Sequence, residues 1–365
     1  MGSRKNVIFV GGARDYHAMD WYRNAQDVCQ DCNLLFAVDL IGGEGFEVIT
    51  KDTDQIIELF IIDKYLFRNQ SSLGDKWRNI FKLLVLGKQA RKLKDVAKKY
   101  PNSVYHAHGM YYMLICMLAG VDYIGTPQGS EVLVRPHRSK LYRKYAAKAL
   151  SAARAVTVDS VRMADQVQVI SGREAVIIQN GVDIPAILEM IDGRVQRDIV
   201  FSHRGFTPLY RIDEMLKARN ASLPSEPIHF VYPFWDDTHK LELDKLMIST
   251  DQDLGRVPRE KLYGLLNRSK LVLSIPISDS SPRSVYEAIF SGACVGIRPN
   301  AYVDILPSCM KARIIELDLD NPNWFADALA KTKALNAIPY EPSAEALRVF
   351  DEKKSMQLLA EKFYY

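Results

Sequence analysis

The stretch Ser274–Ile297, SIPISDSSPRSVYEAIFSGACVGI, holds two carboxylates, Asp279 and Glu287, with seven residues between them. An apolar run comes first, then a loop of small polar residues, a helical start and a Gly turn. Asp279 falls in the loop and Glu287 one turn into the helix. A carboxylate in the loop can accept hydrogen bonds from sugar hydroxyls, and one on the helix can accept two from a ribose diol. Ser280, Ser281, Pro282, Arg283 and Ser284 lie between them. Backbone N–H groups at a helix start, together with the helix dipole, bind an anion there. The set suits a ligand with two hydroxyl-bearing rings joined by a diphosphate. The other reading is a Ser/Asp-rich helix cap followed by an exposed Glu.

A diphosphate wants a fixed cation, and a guanidinium grips it in a bidentate manner. Arg204 opens the loop after a strand ending at His203, with Tyr210 and Arg211 a few residues on. A surface ion pair is the alternative for Arg204. In the first half, YHAHG (Tyr105–Gly109) and TPQGSEV (Thr126–Val132) present His108, Ser130 and Glu131. His108 is expected at a strand end, with His106 on the opposite face. Gly11 and Gly12 follow the first apolar strand and let a backbone approach a phosphate closely. They do not form G-x-G-x-x-G, so dinucleotide binding is disfavoured. His17 and Trp21 are four apart and share a helix face, either against the core or toward a ligand. Arg256 and Val257 sit in LGRVP, where Arg256 is a candidate stacking residue or an ordinary exposed Arg. Asp318-x-Asp320 reads as a loop and N-cap, and no metal site is expected. The five cysteines form no framework; Cys29-x-x-Cys32 lacks a second half for zinc, and a reducing compartment fits best.

The elements that must carry these residues are short apolar runs separated by helical patterns. KNVIFV, LLFAVDLI, IIELFII, SVYHAH, VDYIGTP and RAVTVDS form a first series. DIVFSH, IHFVYPF, KLVLSIPI, CVGIRP and RIIEL form a second. Continuous apolar runs of four to eight residues are the pattern of buried parallel strands. Two successive βαβ series in 365 residues predict two doubly wound α/β domains, over residues 1–190 and 191–343. The segment 344–365 has helical spacing and is expected to pack back on the first domain. Composition, 48% hydrophobic and 25% charged, is that of a globular protein. No apolar run is long enough to span a bilayer. The net charge of +4 is uneven. Residues 76–99 carry nine Lys/Arg against Asp95, and residues 135–154 carry seven and no acid. These are either solvated helix faces or a surface for an anionic partner. No nucleic-acid-binding module is present.

The motifs resemble the retaining GT-B glycosyltransferases of family 4, over most of the chain from Asn6 to about Leu335. Asp279 and Glu287 match the E-x7-E motif, with Asp in first place. Arg204 matches the diphosphate-binding Arg. Tyr210 stands where the accompanying Lys is expected, and Arg211 can supply that charge. HAH, GSE and NGVD (Asn180–Asp183) resemble further family segments. The resemblance implies two Rossmann-like domains facing a central cleft, the first for the acceptor and the second for a nucleoside diphosphate sugar. It implies catalytic roles for Asp279, His108 and Glu131. Gly12, Arg204, Tyr210, Arg211, Arg256, Val257, residues 280–284 and Glu287 would hold the donor. His17, Trp21 and Ser130 would face the acceptor. No metal or other cofactor is implied. The expected reaction is sugar transfer to a hydroxyl of a glycan, lipid-linked or small-molecule acceptor. An epimerase of the same fold and a non-catalytic nucleotide-sugar binder are the rivals. A cytoplasmic protein is expected, with the basic segments meeting an anionic membrane surface on its inner face.

Overall fold

A computed structural model describes residues 5–12, 16–29, 31–39, 53–60, 72–191 and 195–365, with the side chains of residues 16, 17 and 72–79 left aside. Two parallel sheets organise the chain. The first contains β1 (Lys5–Gly11), β2 (Cys32–Val38), β3 (Ile56–Glu58), β4 (Val104–His108), β5 (Tyr123–Thr126), β6 (Ala155–Val158) and β7 (Val176–Ile177), in the order β3-β2-β1-β4-β5-β6-β7. The second contains β8 (Ile199–Ser202), β9 (Ile228–Phe230), β10 (Gln252–Asp253), β11 (Ser269–Ser274), β12 (Cys294–Ile297) and β13 (Ile314–Glu316), in the order β10-β9-β8-β11-β12-β13.

The central strands are mostly apolar because helices cover both faces of each sheet. In β1, Val7 to Val10 are fully buried. Odd residues (Val7, Phe9) pack with Trp21, Tyr22 and Leu359, while even residues (Ile8, Val10) pack with Leu93, Met113 and Ile115. Each strand thus separates two half-cores. Both sheets reverse direction of strand order once, at β1/β4 and at β8/β11. In doubly wound sheets ligands bind beyond the carboxyl ends at such a reversal. The loops that matter therefore follow β1, β4, β8 and β11; they hold Gly12, Arg204 and Asp279, and His108 is the last residue of β4.

The chain divides into one unit of residues 1–179 and 353–365 and another of residues 180–352. The chain passes from the first unit to the second at the NGVD turn. The C-terminal segment is also split. Helix Ala344–Phe350 buries Ala346 and Phe350 in the core of the second unit. Only helix Glu352–Phe363 returns to the first, burying Met356, Leu359 and Ala360 beside β1 and β2. Helical spacing alone could not see the break, because Asp351 is extended between two helices of the same pattern. Val182 pairs there with Asp351, and its N–H donates to the Phe350 carbonyl at 2.8 Å. A Cβ on Gly181 would lie 2.4 Å from the Glu352 nitrogen, so the NGVD turn needs its glycine for backbone packing.

Candidate functional site

The loops after β8 and β11 are tied together, since the Ile277 N–H donates to the Leu209 carbonyl at 2.9 Å. Within them the Arg204 guanidinium bonds Asp279 Oδ2 at 2.5 Å and also donates to the Ser284 hydroxyl. Tyr210, at the position where a Lys was expected, places its ring 4.6 Å from the guanidinium carbon. Its role here is to support Arg204, and burial pushes its hydroxyl pKa up. Asp279 is further fixed by the Ser280 N–H at 3.2 Å, and its carbonyl accepts from Asn300 Nδ2 at 3.4 Å. Helix Arg283–Phe290 begins at the end of this loop. It buries Val285, Tyr286, Ile289 and Phe290 and leaves Glu287 on the polar side. Glu287 lies 3.8 Å from the His203 ring. Burial, then the charge of Arg204, holds the His203 pKa down to about 3, so this imidazole is neutral.

The hydroxyls of Ser202 and Ser274, at the last residues of β8 and β11, and Arg204 Nε are buried without a hydrogen-bond partner. Ser202 belongs to the Val200 and Leu271 face of the sheet and Ser274 to the Phe201 and Val272 face, so the two hydroxyls lie on opposite sides. Arg283 is engaged elsewhere, with Glu352 at 2.8 Å, and the Ser281 hydroxyl lies 3.1 Å from the Tyr286 hydroxyl.

Arg211 does not join this cluster. It adopts a left-handed conformation (φ 54°) and forks onto Glu214 of the following helix, Nε to Oε1 at 2.6 Å. Its guanidinium is thus paired with Glu214, as that of Arg204 is with Asp279. It also lines a cavity of about 500 Å³ with Arg298, Glu316, Asp318 and Asp320. The Asp318-x-Asp320 loop thus shares a wall with Arg211. The Asp320 N–H bonds Asp318, and Asn323 precedes the next helix, so neither Asp is its N-cap.

Arg256 is exposed but not idle. Its Nε donates to the Pro233 carbonyl at 2.7 Å, and its guanidinium lies 5.4 Å from the Trp235 ring centre. Val257 is half-buried beside it. Phe234 and Trp235 are residues the sequence reading missed, because IHFVYPF reads as one strand. The strand ends at Phe230, and both rings are more than two-fifths exposed. Phe234 closes on Gly205, where a Cβ would lie 2.2 Å from the ring. The signal was the run of four aromatic or proline residues, Tyr232–Trp235, too stiff and bulky to continue a parallel strand.

The first sheet places its residues differently. His106 and His108 lie on one face of β4, because strand side chains repeat every two residues. Both rings contact Phe9 and Trp21, which corrects the opposite-face expectation. His106 is fully buried between the Tyr364 hydroxyl (2.5 Å) and the Thr126 hydroxyl (2.7 Å), and Thr126 meets Thr157. Burial, then His108, holds its pKa down to about 3. Trp21 is buried with them. The His17 side chain lies outside the described residues. Glu131 is a buried cap: its Oε2 accepts from the Met110 N–H at 2.8 Å and the Gln128 N–H at 2.9 Å. Its other oxygen is 3.7 Å from Arg135. Ser130 is exposed beside it, and Gly12 is buried at the end of β1. A carboxylate that the sequence suggests for chemistry thus ties two helix starts together.

Among the described residues no group of three or more His, Cys, Asp or Glu could hold a metal ion, and all five cysteines are unpaired as disulfides. No helix among them is long and apolar enough to cross a membrane.

No protein-family model matches the chain, and no curated protein matches it by sequence. Solved structures do match in fold. HepE of Anabaena in complex with UDP-glucose is 14% identical, with a TM-score of 0.70 over 98% of both chains. Trehalose 6-phosphate synthase of Burkholderia multivorans is 12% identical, with a TM-score of 0.68 over 99% of this chain and 98% of that one. Sucrose-phosphate synthase of Thermosynechococcus elongatus is 12% identical, with a TM-score of 0.67 over 98% of this chain and 94% of that one. The architecture is the GT-B fold of these glycosyltransferases, with two Rossmann-like parallel sheets.

Proposed function

We propose that this protein is a retaining glycosyltransferase that moves a sugar from a nucleoside diphosphate sugar to an acceptor hydroxyl, in cell-surface polysaccharide or glycoconjugate synthesis. The observation that carries the reading is the cluster at the β8/β11 reversal. A nearly buried cation paired with Asp279, a second carboxylate at Glu287 and a helix start lie together there. The likeness to a fold whose HepE structure holds UDP-glucose supports it.

In this reading the bond between the sugar's anomeric carbon and the diphosphate oxygen breaks as the acceptor oxygen bonds that carbon from the same face. Negative charge grows on the departing diphosphate. Arg204 and the N–H groups at the start of helix Arg283–Phe290 meet it, which is where preorganised electrostatics act. Asp279 orients the sugar hydroxyls and Glu287 holds the ribose diol. The acceptor proton passes to the departing phosphate oxygen, and no covalent protein nucleophile is assigned. The cationic work falls to side chains and helix dipole, with no metal required. His108 lines the acceptor side at the end of β4.

A thermal-shift screen against UDP-, GDP- and ADP-sugars tests the donor site. Ligand at a hundred times its Kd adds about 2.7 kcal/mol of stability. No shift with any of them would sink the reading. Release of nucleotide only when an acceptor is present separates a transferase from an epimerase. The anomeric coupling of the product by NMR decides retention.

A further inference from the structure

We propose that the outer face of one helical layer in the first unit docks on an anionic lipid bilayer. The two basic segments lie far apart in sequence, but helices Ser72–Lys99 and Lys140–Ala152 both pack against helix Met110–Ala119. Leu93, Val96, Met113, Ile115, Ala149 and Leu150 of the three helices share one core on one face of the sheet. The three form a single layer, and its outer surface is cationic and apolar together.

On helix Ser72–Lys99 the side chains of Ile80, Leu83 and Leu84 follow the i, i+3, i+4 spacing of one helix face. They are 49%, 66% and 71% exposed, respectively. The rotation that exposes them is fixed. Lys82 Nζ lies 3.0 Å from the buried Asp39 carboxylate, and the Tyr111 hydroxyl donates to the Lys82 carbonyl at 2.8 Å. One helical turn on, Lys88 and Arg91 continue the same stripe and are exposed. Asp95 is the only acid from residue 76 to 99. Helix Lys140–Ala152 repeats the arrangement with Leu141 (66% exposed) and Tyr145 (48%) beside exposed Lys144 and Lys148, and it contains no acid. Between them helix Met110–Ala119 has no charge and exposes Leu118.

The opposite face of the same sheet is the control within the molecule. Helices Tyr16–Val28 and Glu352–Phe363 mix Asp20, Asp27 and Glu361 with Arg23, Lys353 and Lys362. Cations alone would serve a soluble acidic glycan. Large apolar side chains held outward beside them add nothing to that partner, whereas a bilayer of anionic headgroups over acyl chains uses both. Lysine and arginine stems also lie along apolar surface while their charges reach headgroups. The inference is independent of the transferase reading, because vesicle binding is measured without any donor.

The experiment is flotation of the full chain with two kinds of vesicle, pure phosphatidylcholine and phosphatidylcholine with roughly 30 mol% phosphatidylglycerol, which gives the surface a negative potential. Binding to the anionic vesicles should be at least about tenfold tighter than to neutral ones and should weaken with salt. Leu83→Glu with Leu84→Glu should lower binding by about tenfold or more. Arg91→Gln with Lys94→Gln should lower it by a smaller factor, and these exposed sites leave folding intact. Thermal melts of each variant, unchanged from wild type, would place the loss in the surface. Equal binding of both vesicle types, or leucine variants that bind as wild type does, would overturn the proposal. So would tight binding to heparin with none to vesicles, which would assign the face to an acidic glycan.

Discussion

The two strand-order reversals have the same topology and opposite chemistry. At β8/β11 an Arg–Asp pair lies beside a Glu and a neutral His. At β1/β4 the His106–Thr126–Thr157 chain and the Glu131 cap give their hydrogen bonds to the protein itself. The rings of Phe9 and Trp21 lie against His108. The two reversals share a backbone topology, and the side chains at each decide how charged it is. The charged reversal is the donor site of the proposed reading. At the other, buried side chains hold the loops.

The contrast breaks most directly at Arg204. Arg204→Ala should lower acceptor-dependent turnover by about 10²- to 10³-fold, as loss of one preorganised transition-state contact does. Arg204→Lys should recover only part of it, since an ammonium lacks the fork that spans Asp279 and Ser284. Steady-state rates on both variants check this, and unchanged rates would remove the second switch from the chemistry.

The next largest effect belongs to Glu131 and is expected in stability. Glu131→Ala leaves the Met110 and Gln128 N–H groups without their acceptor and should cost about 2–3 kcal/mol by urea unfolding. Glu131→Gln keeps an acceptor oxygen and should restore most of that stability. If Glu131→Gln instead folds like wild type and loses all turnover, the residue acts in catalysis and the contrast weakens.

The pH response is shared by both switches. His106 and His203 are held neutral in the folded protein, with pKa values near 3 against an ordinary 6.5. The unfolded chain takes up their protons below about pH 6.5 and the native chain does not. Their stability is fully present above that pH and is lost as pH falls from 6.5 toward 3. The slope approaches about 1.4 kcal/mol per pH unit for each histidine. Unfolding of His106→Phe across pH 4.5–6.5 should show a flatter dependence than wild type. An equal slope would mean that His106 is protonated in the native state.

Tyr364→Phe removes one partner of buried His106 and should cost about 1–2 kcal/mol while leaving nucleotide affinity unchanged. Arg256→Ala, at an exposed loop against Trp235, should alter stability by less than about 0.5 kcal/mol. Nucleotide affinity in that variant, by calorimetry, then reports whether the Arg256–Trp235 pair touches the base.

Much of this was legible in the chain. The apolar runs of KNVIFV and KLVLSI can only be strands covered on both faces, so the parallel α/β class followed from composition and spacing. The loop after each run marked where to look, and Arg204, Asp279 and Glu287 do lie around one loop pair. What spacing could not give was direction and partnership. Arg211 had the right charge in the right loop, yet a left-handed backbone turns it onto Glu214, a pairing that depends on the following helix. Glu131 had the right chemistry, but its oxygen is taken by an amide 21 residues away in sequence. The C-terminal pattern looked like one helix until the Val182–Asp351 pairing divided it.

The sequence by itself determined the type of most elements, because burial periodicity and turn chemistry act between residues close along the chain. It also set the two concentrations of positive charge. Only the tertiary structure decided which polar groups satisfy each other and which are left over, and that the two basic helices share one layer. Those outcomes rest on contacts between residues tens of positions apart, whose energies depend on a few ångströms of separation that no local pattern encodes.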